Sequence, residues 1–165
     1  MRFFNRILPI LFVIICIGQL TAQDTLDIVT ASSEEKVQIL KVKGLGGYIG
    51  ERIELVIKHT GRKKMVLRLP AGLMFPSEDS DEQDLIHTQE MFVDMRPGNV
   101  KPIRLFTMCT QANNMSPSKG SGFQLGAMAT GGLLSLAQVI AANEYQTSTA
   151  QSAVWAVSSN RPLTE

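Results

Sequence analysis

Hydrophobic and polar residues alternate along much of the first two thirds of this chain. Ile53, Leu55 and Ile57 interleave with Arg52, Glu54 and Lys58. Met65, Leu67 and Leu69 interleave with Lys64 and Arg68, and Met91, Val93 and Met95 with Glu90 and Asp94. Val37, Ile39 and Val42 form a further short run. A period of two marks strands with one wet and one dry face. Turn-forming residues separate these runs at positions 44–50, 60–62, 70–72 and 96–99, as strand boundaries require. The run from Lys101 to Thr110 places Ile103, Leu105, Thr107 and Cys109 on one face and Arg104, Phe106 and Met108 on the other. Bulk on both faces predicts a strand covered on both sides.

Beyond Thr110 the period changes. Residues 111–122 form a loop rich in Asn, Ser, Pro and Gly, after which Leu133, Leu136, Ala137 and Ile140 recur at helical spacing and stop near Asn143. A second helix is predicted from Thr149 to Ser158, with Ala150, Ala153, Val154 and Val157 as its apolar stripe. Strands first and a helical hairpin afterwards is an α+β arrangement: a small antiparallel β-sandwich-like sheet followed by C-terminal helices. The single domain spans 36–160, with 36–110 β-rich and 123–158 helical. Residues 23–35 are polar with scattered apolar positions and no sustained period, so they read as a lead-in.

The N-terminus adds an address. Arg2 and Arg6 flank Phe3, Phe4 and Asn5, an apolar run extends from Ile7 to Gly18, and Thr21-Ala22 precedes polar residues. These are the parts of a secretory signal at 1–22, too short in its apolar core for the roughly 20 residues that span a bilayer. Export to the periplasm, cell surface or medium is the expectation, with no transmembrane segment after signal removal. Cleavage would take 16 basic residues to 14 against 15 acidic ones, a net charge of −1. No basic tract remains, so nucleic acid is not an expected partner. It would also remove Cys16 and leave Cys109 alone. A solitary cysteine in an oxidising compartment is buried and inert, paired between chains, or chemically used.

Most other candidate chemistry has a plain reading. The glycine-rich segment 44–50 lacks the spacing and following Gly-Lys-Ser/Thr of a phosphate loop and reads as a hairpin turn. Glu78, Asp79, Asp81, Glu82 and Asp84 lack the glycine and spaced glutamate of a calcium loop and read as a solvated turn. His59 and His87 lie far apart, without the local ligand pairs of a zinc site, and read as strand or turn residues. No metal or cofactor is expected, and no paired acids or histidine dyad point to an enzyme.

The stretch from Leu136 to Trp155 differs: a helix, then Asn143-Glu-Tyr145, then Ala150-Gln-Ser-Ala-Val-Trp155. It resembles the end of bacterial thioester domains, which carry Thr-Gln-x-Ala-(Ile/Val)-Trp after a helix and an Asn-Gly-Tyr-like break. The segment Cys109-Thr-Gln-Ala-Asn-Asn-Met-Ser-Pro117 is also similar to small exported bacterial proteins of no known activity. The thioester resemblance implies that Cys109 supplies a thiol and Gln151 an acyl group. Ala153 and Trp155 would be supporting packing positions, and a surface protein or small amine the partner captured. Ala150 and Glu144 stand where that family has threonine and glycine. A second reading stays open beside it: a structural or interaction module of the envelope. There Gln151 closes a capping box with Ser148, and Cys109 is a small buried hydrophobe.

Overall fold

The computed structural model describes residues 24–160; the expected signal at 1–22 lies outside them. The alternating runs form strands, namely β2 (Val37–Leu45), β3 (Glu51–His59), β4 (Met65–Leu69), β7 (Met91–Met95) and β8 (Val100–Cys109). Four shorter strands join them: β1 (Thr25–Asp27), β5 (Met74–Phe75), β6 (Leu85–His87) and β9 (Lys119–Gly122). They build a three-stranded sheet ordered β1-β4-β7 and a six-stranded sheet ordered β5-β6-β8-β3-β2-β9. Among the described strand pairs, β1–β4 alone is parallel.

Both sheets turn their apolar residues into one buried cluster. Leu67, Leu69 and Met95 come from the smaller sheet; Ile53, Leu55, Ile57 and Leu105 come from the larger. This is an α+β fold whose sheets are arranged compatibly with a β-sandwich. Helices α2 (Gly131–Ala142) and α3 (Ser148–Ser159) cover the opposite face of β6 and β8, where Ala137, Ile140, Ala150 and Val154 pack with Ile86 and Met108. Strand β8 is therefore covered on both sides over its last residues, as its two bulky faces predicted. No helix among the described residues is long and apolar enough to cross a membrane.

Two expectations need correction. Of the polar lead-in expected at 23–35, the described part, 24–35, is instead an integral part of the fold. Asp24 accepts a hydrogen bond from Val66 N–H through its carbonyl, and β1 pairs with β4. Helix α1 (Ile28–Ser33) follows, its N-terminus capped by Asp27, whose carboxylate accepts from Thr30 N–H at 2.9 Å. Ile28 and Ala31 are fully buried. A single helical turn offers too few residues for a period to show, yet two apolar positions suffice to seat it. The helical region also begins later than 123. Phe123–Thr130 runs as extended chain, tied by single bridges of Phe123 to Ser77 and Met128 to Leu73.

Candidate functional site

Cys109 and Gln151, distant in sequence, meet in the structure, and both are fully buried. The contact follows from where β3 begins. Along one edge of β8, Thr107 N–H donates to the Gly50 carbonyl at 2.8 Å, immediately before β3 starts at Glu51. Two residues further on, Cys109 points its main-chain groups to the same side, where no strand reaches. Buried peptide groups left there would each cost free energy comparable to a lost hydrogen bond. Gln151 fills the position: Cys109 N–H donates to Gln151 Oε1 at 2.9 Å, and Gln151 Nε2 donates to the Cys109 carbonyl at 2.8 Å. The carboxamide acts as a substitute peptide, continuing the sheet by one step.

Helix α3 presents Gln151 for this purpose and extends the contact along the chain. Ser158 Oγ and Ser159 Oγ both donate to the Thr110 carbonyl, and Ala112 N–H donates to Ser159 Oγ. The capping-box expectation is corrected at the same point. The N-cap is Thr147, whose hydroxyl accepts from Ala150 N–H, and the Gln151 side chain turns to β8 rather than back to the helix start. Gln146 repeats the device one strand away. Its Nε2 donates to the Thr88 carbonyl and its Oε1 accepts from the Thr88 hydroxyl.

The thiol of Cys109 belongs to the buried cluster between the sheets. Burial pushes it up to about 12, with a hydrogen bond from Ser116 and the positive charge of Arg52 acting in the opposite direction. At neutral pH it is protonated, and a protonated thiol is a poor nucleophile. Trp155, one turn after Gln151, packs against the same cluster and donates Nε1–H to Gln83 Oε1 at 2.9 Å. Ala153, the other expected packing position, is half-buried on α3 and appears in neither apolar cluster.

His87, read from sequence as an ordinary strand residue, is the site-like group that reading passed over. It is fully buried on the inner face of β6, opposite Thr107 of β8. Its Nδ1–H donates to the Pro70 carbonyl at 3.1 Å, while its Nε2 and the Thr107 hydroxyl have no hydrogen-bond partner among the described residues. Desolvation holds its pKa down at about 4. The alternation signal could not reveal this, because all three residues of β6 are buried.

Among the described residues, no three His, Cys, Asp or Glu side chains come together to hold a metal. The acidic turn is stitched internally: Asp84 accepts from Ser77 N–H and Gln111 Nε2, and Glu82 from Ser121 Oγ. A groove of about 700 Å³ runs between α2 and the β1–β4 side, lined by Val29, Pro70, Ala71, Met128 and Leu134. Of its charged lining residues, Arg68 pairs with Glu90 and Asp27 accepts from the Thr30 hydroxyl. Compared with models of known protein families, with curated proteins and with solved structures, the chain matches none.

Proposed function

We propose that this chain is an exported, non-catalytic binding or interaction domain in which the Cys109–Gln151 contact is a non-covalent fastening. One observation carries the reading: Gln151 commits both carboxamide atoms to the main chain of Cys109. The protonated, shielded thiol fits it, since nothing in such a contact asks the sulfur to react. The fastening holds the helical pair rigidly against the sheet, which leaves the outer surfaces of both to meet a protein partner of the envelope.

A second reading, covalent capture of an amine, is favoured by a specific feature of the same geometry. The carboxamide sits on the residue that bears the thiol, and neither group reaches solvent. Attack of the Cys109 sulfur on the Gln151 carbonyl carbon would form the C–S bond and break the C–N bond. Ammonia would leave with the thiol proton. A primary amine would later attack the same carbon, forming an amide and returning the thiol with one amine proton. Holding the two groups together is the entropic part of such a step, and excluding water protects its product.

Intact-mass measurement of the purified, unreduced chain separates the two. The fastening reading expects the full mass and a Cys109 that alkylates stoichiometrically once the protein is denatured. A mass lower by one ammonia, increased by one molecule of methylamine on incubation, would replace it with the capture reading.

A further inference from the structure

The glycine-rich turn between β2 and β3 has no role in either reading above, yet it lies beside the Cys109–Gln151 pair. Gly50 and Gln151 occupy successive positions on one edge of β8, the first bonded to Thr107 and the second to Cys109. Two residues before Gly50, the ring of Tyr48 stacks on Trp155 of α3, with centroids 6.4 Å apart and planes at 28°. The stack bridges the seam where the turn meets the helix. Tyr48 is 47 % exposed, so its outer side faces water while its inner side covers the seam.

The pose of the turn is set by its glycines and by Arg52, with Gly50 anchored to β8. Gly46, Gly47 and Gly50 have φ of 85°, 86° and 91°, a region that side-chain-bearing residues rarely enter. Two of its carbonyls, those of Gly46 and Ile49, accept from the Arg52 guanidinium, the same group whose charge acts on the Cys109 thiol. Trp155, on which Tyr48 stacks, packs against the buried cluster that contains Cys109.

We propose that the Tyr48 turn is a gate over the Cys109–Gln151 pair, closed by the Tyr48–Trp155 stack and opened by lifting the turn about its glycines. Opening breaks an aromatic contact and exposes the seam, while the β8 ladder and the core beneath remain paired. The gate governs access to the pair rather than any bond within it, so it stands or falls separately from either reading above.

The test measures alkylation of Cys109 by iodoacetamide in the native full chain, read by intact mass, for wild type, Tyr48→Ala and Tyr48→Phe. An aromatic pair is worth enough that losing it should raise the labelling rate roughly threefold to tenfold in Tyr48→Ala. Tyr48→Phe keeps the ring and should label at the wild-type rate. Urea unfolding of each variant, run alongside, shows whether global stability changes by less than labelling does. If the chain carries a Cys109–Gln151 bond, methylamine uptake is the readout and the same ranking of variants is expected. Equal rates in all three proteins, a Tyr48→Phe rate matching Tyr48→Ala, or labelling that tracks global unfolding in each would overturn the gate.

Discussion

Replacing Gln151 by leucine removes the carboxamide but keeps a side chain of similar length on the same turn of α3. The Cys109 N–H and carbonyl then face an apolar group in a site that is fully buried. Each buried main-chain group left without a partner costs about 1–3 kcal/mol, so Gln151→Leu should destabilise the fold by about 3–4 kcal/mol. In a domain of this size that corresponds to a fall in Tm of roughly 10 °C. Urea unfolding followed by tryptophan fluorescence suits the measurement, because Trp155 sits one turn from the substitution. Gln151→Glu sharpens it. A carboxylate can accept from Cys109 N–H but sets a second oxygen against the Cys109 carbonyl. Only the protonated acid restores the donor. Burial raises the folded pKa of that group, so its stabilising contribution is present below the unfolded value of about 4.3 and lost as pH rises through the folded value. The deficit of Gln151→Glu relative to wild type should therefore shrink on acidification. A loss below about 1 kcal/mol for Gln151→Leu, outside the range for even one orphaned group, would refute the substitute-peptide account.

Two other expectations follow from buried groups elsewhere. His87 has a folded pKa of about 4 against 6.5 for the free side chain, so the folded state binds fewer protons between those values. Stability is complete above pH 6.5 and declines as pH falls toward 4, by about 3 kcal/mol in all. His87→Gln should flatten that part of a stability–pH profile measured by urea titration. Gly72 has φ of 95°, and a Cβ there would stand 2.4 Å from Leu134 Cδ1, so Gly72→Ala should cost about 2 kcal/mol or more through backbone strain and displacement of α2. Thermal melts monitored by circular dichroism would register it, and an unchanged Tm would show that the turn absorbs a side chain.

Strands β3, β4 and β7 were legible because each has one wetter face, and alternation is a signal a sequence carries directly. Strand β6 was not, since Leu85, Ile86 and His87 are all buried, two toward the sheet interface and one toward the helices. Strands β5 and β9 are too short for any period. Helix α1 did leave a mark: Asp27 followed by Thr30 is a capping pattern, but its single turn hid it. At the site, the family resemblance singled out Cys109 and Gln151, and the structure places them in contact. The form of that contact was not readable from local pattern, because it depends on β3 starting at Glu51, opposite Phe106, and so ending its ladder before Cys109. The stripe of α2 packs as expected, whereas that of α3 was partly misjudged for a related reason. Val157 is 49 % exposed while Gln151 is fully buried, since β8 offers α3 an unpaired peptide as well as an apolar surface.

The substitute peptide at Cys109 also bears on the order in which the molecule assembles. Hairpins such as β2–β3 close over short loops, whereas the Gln151 contact spans 42 residues and can form only once β8 is in place. Ordering a long intervening segment is entropically expensive and is deferred until other contacts repay it. Docking of α3 is thus a late event on the way in and an early one on the way out. The amide hydrogen of Cys109, sealed by a side chain rather than by a strand, should exchange with solvent whenever α3 lifts. Its exchange rate, set against that of Leu55 at the centre of β3, would resolve partial opening of the helical layer from unfolding of the whole.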